Sequence, residues 1–185
     1  DVQVSQDDCG AGDLNAGFCQ RVVGGRPLVR LKLAATLDGR TAANDGTSQW
    51  ITGEEARADV HQMRARSCAI VTGIGTVRED DPRLNARIDG QVVQPLRVVL
   101  DGNGQLDPGA RLFSETGDVL IVTSREDDEG FDFDARTEQI CLTGEDGRVD
   151  IAAVLDLLAE RSCNEVLVEA GAGVAGAFVS RGLVD

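Results

Sequence analysis

Long apolar runs are missing from this 185-residue chain. Nowhere do 18 apolar residues follow one another, so no membrane-spanning helix is expected. Positive charge is scarce: lysine plus arginine number 18 against 32 acidic residues, leaving a net charge of −14 and a pI near 4.4. That balance argues against nucleic acid and against membranes as partners, since both call for a basic face. The acids are dispersed, as on a solvated surface suited to high salt. A phosphorylated ligand would need local positive charge set against this field. No Cys-x-x-Cys occurs, and the five cysteines (Cys9, Cys19, Cys68, Cys141, Cys163) are odd in number and scattered. A disulfide framework and a zinc site are therefore not expected, and no metal is assigned. Cys68 and Cys141 fall in apolar, strand-like runs and read as small core residues. A reducing, cytoplasmic setting suits the pattern. The one histidine, His61, falls in an expected helix without a cysteine partner and reads as a surface or helix-packing residue. No signal peptide is visible.

Lysine is scarcer still. Lys32 stands alone among 17 arginines, inside the strand-like run Val29-Arg30-Leu31-Lys32-Leu33-Ala34. Arginine stays charged, whereas a lysine amine loses its proton readily on burial and can take part in proton transfer. Lys32 is read as an active-site amine; the alternative is a lysine that snorkels from a sheet edge.

Strands are expected at 28–35, 68–72, 96–101, 118–123, 138–142 and 165–169. Several are short and continuously apolar, as in Ala69-Ile70-Val71 and Val119-Leu120-Ile121-Val122, the pattern of strands buried on both faces of a parallel sheet. Between them lie helical segments. Thr52-Gly53-Glu54-Glu55 has the form of a capping box, opening a helix to about Arg66 with Ala56, Val60 and Met63 on one face. Asp150 can cap a second helix with Ile151, Val154, Leu155 and Leu158 at i, i+3, i+4, i+7. A third starts near Gly173 and stops before Gly182. Residues 14–23 can form a short helix within an arm over 1–27, and the acidic stretch 125–134 reads as a solvated loop. The alternation implies an α/β fold with a mostly parallel central sheet flanked by helices.

Two strand-to-helix junctions are rich in glycine. Val166-Leu167-Val168-Glu169 runs into Ala170-Gly171-Ala172-Gly173-Val174-Ala175-Gly176, a GxGxxG loop before a helix. Such a loop lets backbone approach a pyrophosphate at a helix N-terminus, without basic side chains. Its place near the end of the chain is wrong for a Rossmann fingerprint, and the alternative is a turn that only packs a helix on a sheet. Ile70-Val71-Thr72-Gly73-Ile74-Gly75-Thr76 repeats the arrangement. It leads into Arg78, Arg83 and Arg87, which with Arg64 could fork onto a phosphate monoester. Trp50, the one tryptophan, lies in a loop where it could cover a cofactor ring or plug the core.

VRLKLAATLDGRTA, SQWITGEEARADV, TGIGTVREDDPRLNAR and VLVEAGAGVAGA together resemble the reductase half of the bifunctional riboflavin-biosynthesis deaminase/reductase family, over roughly residues 14–185. The resemblance implies a dihydrofolate-reductase-like fold. It also implies NADPH-dependent reduction of 5-amino-6-(5-phosphoribosylamino)uracil to its ribitylamino product. It puts Lys32 and Glu169 at the reacting end. Ser48, Arg64, Leu84, Arg87 and Glu169 match substrate contacts, the arginines mainly to the 5-phosphate. Ala34, Trp50, Thr76, Asp80 and Gly102 match cofactor contacts, as does the pyrophosphate loop Gly171, Ala172, Gly173, Val174, Ala175, Gly176 and Ala177. Ser124 and Arg125 could meet the 2′-phosphate. The family tends to dimerise, so a homodimer is an open expectation. Two departures stand out: Gly102 replaces a frequent serine, and the last glycine loop differs in its small residues.

Neither the His-x-Glu nor the Pro-Cys-x-x-Cys motif of the deaminase half is present. Residues 1–27 are accordingly expected to be an arm, a remnant of a preceding domain or a linker, with the reductase domain over 28–185. Family members continue with further strands, so a sheet cut short at its C-terminal end, with an exposed edge, is expected. Two other functions fit the same residues. One is reduction of the undeaminated diaminopyrimidine; the other is NADPH binding without turnover.

Overall fold

The computed structural model describes residues 10–43, 50–125 and 133–185. The continuously apolar runs form the middle of the molecule. β2 (Ala69–Gly73) and β4 (Val119–Thr123) are buried along their whole length, and β3 (Leu96–Leu100) along all but its first residue. β1 (Leu28–Leu31), β5 (Thr137–Cys141) and β6 (Glu165–Val168) complete one six-stranded sheet in the order β1-β6-β2-β3-β4-β5. Every pairing is parallel, where a mostly parallel sheet was expected. The polar run Thr137-Glu138-Gln139 sits at the outer edge, where one side of the strand needs no apolar neighbour.

Alternation along the strands divides the core in two. Val71, Val98, Leu120 and Val168 face α5 (Ile151–Glu160) and α6 (Ala172–Ser180). Val99 and Ile121 face the other way. They pack on Val77 of α4 (Ile74–Asp80) and on Leu112 in the 3-10 turn Arg111–Ser114. Arg97 lies on this second face and is 1 % exposed.

Helix ends show which local signals prevailed. Asp150 accepts from the N–H groups of Ala152 and Ala153, the expected cap, and α5 buries Ile151, Val154, Leu155 and Leu158. Asp150→Ala is expected to cost about 1 kcal/mol, read as a lowered urea midpoint with an unchanged m-value. At the end of α6, Gly182 takes φ +64. Its N–H reaches Val179 O while that of Leu183 reaches Phe178 O, a Schellman closure. The capping box is not used. α3 (Glu54–Arg66) starts from Gly53 without a side-chain cap, and the Thr52 carbonyl instead accepts from Arg57 Nη1 at 2.6 Å. Nor does α3 bury an apolar stripe: Ala56 is exposed, and Val60 and Met63 are half-buried. Its inward face is polar and serves the site below.

Residues 11–24 form α1 (Ala11–Leu14) and α2 (Ala16–Gly24). α2 docks against the start of β6. A Cβ on buried Gly17 would lie 2.5 Å from Glu165 Cγ and 2.8 Å from Asn164 O, so only glycine allows this approach. Arg21 Nε donates to Asn164 Oδ1 at 2.7 Å. At the outer edge of β1, Asp185 N–H donates to Val29 O, Asp185 Oδ2 accepts from Val29 N–H, and Arg26 forks onto the same carboxylate. Cys68 and Cys141 are only half-buried; Cys163 is the cysteine that joins the core. Among the described residues, no helix is long and apolar enough to cross a membrane.

Candidate functional site

In a parallel sheet all strands end on one side, and the loops that follow them gather there. β1 leads into Lys32, β6 into Glu169 and the Gly171 loop, β3 into Asp101 and Gly102, and β4 into Ser124, while β2 ends at Gly73. Leu31 pairs with Val168, and Lys32 N–H donates to Val168 O at 3.0 Å. Lys32 and Glu169 are the residues that follow this last pair of the ladder. Among the described residues, the Lys32 amine has no hydrogen bond or ion pair. Glu169 is held by Arg64 of α3 in a fork, Nε to Oε1 at 2.6 Å and Nη2 to Oε2 at 2.9 Å. Both side chains are largely buried, and such bidentate pairs fix geometry as well as charge.

The third nitrogen of Arg64, Nη1, donates to Asn85 O at 3.1 Å. Every nitrogen of that guanidinium is therefore engaged, which makes Arg64 an orienter of Glu169 more than a free phosphate hook. Arg87 is better placed for an anion. Its Nη1 donates to Asn85 Oδ1 at 2.6 Å, and no other guanidinium bond is made among the described residues. Burial, then the charges of Arg64 and Arg83, lowers the Arg87 pKa from its ordinary value, and Arg111 adds to the effect. Guanidinium groups crowded so closely favour a dianion among them. Asn85 is buried and also donates Nδ2 to Glu115 Oε2 at 2.7 Å, while Glu115 Oε1 pairs with Arg83 at 3.0 Å. Leu84 takes φ +50, costly for a branched side chain and a mark of backbone over-determined by its surroundings. Its side chain is buried, so only its backbone can face a ligand. Arg78 lies apart from this cluster and reaches Gln105.

His61 belongs to the cluster rather than to the general surface. Its Nδ1 accepts from Arg87 N–H at 3.2 Å. Burial first, then the Arg87 and Arg64 charges, lowers the His61 pKa from its ordinary value. A histidine with a lowered native pKa contributes its full stability above the unfolded value of about 6.5. That contribution is lost as pH falls through the native value. The protonated ring can no longer accept from Arg87. A phosphate-bearing ligand held by this arginine cluster would show a KM that rises on the acid side of that window. His61→Asn, which can accept but not titrate, should flatten the rise in a pH series of initial rates.

The two glycine junctions meet. Gly171 N–H donates to Thr76 Oγ1 at 3.1 Å, and a Cβ on Gly73 would lie 2.8 Å from Val174 Cγ2. Gly171 caps α6 without a side chain, and Gly171, Ala172 and Gly173 are exposed. The first N–H groups of a helix have no intrahelical acceptor and are left for an anion. At Gly102, a Cβ would meet Ser124 Oγ at 3.2 Å, and that hydroxyl donates to Gly102 O at 2.9 Å. Ser124 thus brings a hydroxyl to the place where residue 102 has none. Trp50 is 72 % exposed with the Arg57 guanidinium 4.5 Å from its ring centroid, which excludes a core plug. Ala34 is half-buried after β1, and Asp80 is exposed at the end of α4. Ser48 lies outside the described residues. Among those described, no group of three or more His, Cys, Asp or Glu could hold a metal ion.

Sequence reasoning missed Asn85, Glu115, Arg111 and His61. Asn85 stands inside the DDPRLNAR run and could have been picked out there; Glu115 and Arg111 carry no local signal. The model of the RibD C-terminal domain family matches residues 27–185. The chain belongs to that family. The riboflavin biosynthesis protein RibD of Escherichia coli is 37 % identical over 187 residues, covering 95 % of this chain and 50 % of the relative. That of Haemophilus influenzae is 40 % identical over 186 residues, covering 93 % and 48 %. A crystal form of Acinetobacter baumannii RibD superposes with a TM-score of 0.80 at 37 % identity, covering 95 % of this chain and 48 % of the other. A Thermotoga maritima structure gives 0.79 at 35 % identity, covering 92 % and 46 %. It is described as a diaminohydroxyphosphoribosylaminopyrimidine deaminase/5-amino-6-(5-phosphoribosylamino)uracil reductase. The chain spans about half the length of these relatives, and the α/β, dihydrofolate-reductase-like architecture expected from the sequence stands.

Proposed function

We propose that this domain reduces 5-amino-6-(5-phosphoribosylamino)uracil to its ribitylamino product with NADPH. The observation that carries the reading is the register of β1 and β6. It ends on Leu31 and Val168, so that Lys32 and the Arg64-bound Glu169 both follow the last pair, at the end of the sheet where the arginine cluster and the N-terminus of α6 also lie. The chemistry is reduction of a C=N bond once the ribose ring opens: the C1′ carbon takes a hydride and the nitrogen a proton. NADPH would supply the hydride. The exposed Gly171–Gly173 backbone and the absent side-chain cap suit its diphosphate, and Gly73 lets α6 approach β2 to form the cradle. Arg87, with Arg83 and Arg111 near it, takes the 5-phosphate and so places the sugar chain along the strand ends. Glu169, its carboxylate oriented by Arg64, accepts a hydrogen bond from the substrate. Lys32 moves the proton that accompanies reduction, a role for which a side chain within hydrogen-bond reach is required. The scattered free thiols suit the cytoplasm.

NADPH absorbance at 340 nm is the test, with the aminouracil substrate and its undeaminated diaminopyrimidine counterpart in parallel. Loss of signal with the aminouracil supports the proposal. Loss only with the diaminopyrimidine moves the reading to that substrate. NADPH bound but oxidised with neither would leave a binding domain and overturn it.

A further inference from the structure

The site draws on the carboxyl ends of the strands; two thiols meet at the amino ends. Cys68 immediately precedes β2, and its N–H donates to Glu165 O at 2.9 Å. Its Sγ accepts from Asn164 N–H at 3.3 Å. Cys163 is bonded to Asn164, and its own position is set by the end of α5. Ser162 takes φ +62, Ser162 N–H donates to Ala159 O and Cys163 N–H donates to Leu158 O. This is the Schellman arrangement with a serine in the left-handed place, and it turns Cys163 into the core. Adding the Cα-to-next-nitrogen span to the 3.3 Å contact keeps Cys68 Sγ within about 6 Å of Cys163 Cα. Backbone hydrogen bonds hold both residues there, just ahead of the neighbouring parallel strands β2 and β6. A disulfide needs its two Cβ atoms about 4 Å apart, which this placement allows.

The pair is chemically unequal. The Cys163 thiol donates to the Cys68 sulfur, and the N–H groups of Glu165 and Asn164 add to this. Together they outweigh burial and hold the Cys68 thiol below the ordinary cysteine range. The same donation, together with burial, pushes Cys163 up. Arg161 and Arg21 lie near Cys163 and act in the opposite sense. A cavity of about 430 Å3 opens beside them, with Leu96, Val119, Arg136, Arg161 and Cys163 in its lining. The cavity reaches Cys163, and Cys68 is itself only half-buried, so a small molecule can approach from the side remote from the glycine loops. Nothing in the proposed reduction uses either thiol.

We propose that Cys68 and Cys163 form an oxidisable dithiol, with Cys68 as attacking and Cys163 as resolving sulfur, that takes small disulfides of the oxidised-glutathione type. The Cys68 thiolate attacks one sulfur of the disulfide, whose S–S bond breaks and releases one thiolate, leaving a mixed disulfide on Cys68. Cys163 gives its proton to solvent and its sulfur attacks that of Cys68, releasing the second thiolate. Both released thiolates take up protons. Two protein thiols are oxidised, one small disulfide is reduced to two thiols, and the balance closes without another reagent. The cross-link ties the starts of β2 and β6 together. It restricts the unfolded chain over the long loop between them, so the oxidised protein should resist heat better.

The test is incubation of the whole protein with oxidised glutathione at neutral pH, an acid quench, proteolysis without reduction and mass spectrometry. The expected product is a Cys68–Cys163 peptide pair, two hydrogens lighter than its parts and reversed by dithiothreitol. Consumption of Cys68 should outpace that of Cys141 about tenfold. Cys163→Ser should stop at a stable glutathione adduct on Cys68, and Cys68→Ser should leave Cys163 unmodified. The wild-type result stands even if a variant folds poorly. A wild-type adduct that persists on Cys68, a faster reaction at Cys19 or Cys141, or no reaction at Cys68 would each overturn the proposal.

Discussion

Lys32→Ala is expected to lower turnover of the aminouracil substrate by roughly 100- to 10,000-fold, the span usually lost with a positioned proton-transfer group. NADPH affinity should stay within about twofold, because the glycine loop and α6 lie on other strands and make no bond to the amine. The prediction rests on three features. Lys32 is the one lysine of the chain. It follows the last β1–β6 pair, Leu31 with Val168, as Glu169 does on the neighbouring strand. Among the described residues its amine is free of partners, while Glu169 is already held by Arg64. Lys32→Arg should not restore the rate, since a guanidinium keeps the charge but does not release its proton. Single-turnover absorbance at 340 nm gives the chemical step, and fluorescence titration gives cofactor binding. An alanine variant that turns over normally would make Lys32 a sheet-edge residue and leave the chemistry to Glu169.

Arg97→Met is expected to destabilise the protein by about 3 kcal/mol or more, the summed loss of charge-assisted hydrogen bonds to three backbone carbonyls. Arg97 is enclosed in the second core, with Val99 and Ile121 along the same face. Its Nη1 donates to Leu112 O at 2.6 Å, and its Nη2 donates to Glu115 O at 3.3 Å and to Gly117 O. Truncation leaves those carbonyls buried without donors, and an apolar replacement supplies none. At about 2–4 °C per kcal/mol for a chain of this length, the melting temperature should fall by roughly 10 °C. The consequence reaches the site. The segment pinned by Arg97 carries Glu115, which holds Arg83 and Asn85, and Asn85 in turn holds Arg64 and Arg87. A loosened segment should therefore raise KM for the phosphorylated substrate several-fold while leaving NADPH binding unchanged. A variant that melts like the parent would mean that water replaces the guanidinium at all three carbonyls.

Much of the fold was legible because parallel strands buried on both faces announce themselves as short, unbroken apolar runs. β2, β3 and β4 lie within a residue or two of their expected limits. Where tertiary contacts competed with local ones, the reading was less sharp. The run 28–35 forms a strand only as far as Leu31, since its one sheet neighbour, β6, ends at Val168. The capping box at Thr52 matches its pattern, yet Arg57 takes the Thr52 carbonyl and the helix begins from Gly53. Cys68 and Cys141 were read as the core cysteines, yet Cys163 is the buried one, because the turn after α5 sends it inward.

Composition, apolar periodicity and a few dense motifs were enough to determine the α/β class, the glycine junctions and the family. They were also enough to single out Lys32, Arg64 and Arg87, while Glu169 was named only through the family resemblance. Sheet order decided the rest. Placing β6 between β1 and β2 brings Lys32 and Glu169 to one end of the sheet and Cys68 close to Cys163 at the other. The same folding carries Glu115 to Asn85 and Arg97 to the carbonyls of the 112–117 segment. Periodicity reports how a residue relates to its neighbours along the chain. Which strand lies next to which depends on burial and hydrogen bonding over the whole sheet, and only the folded molecule expresses that.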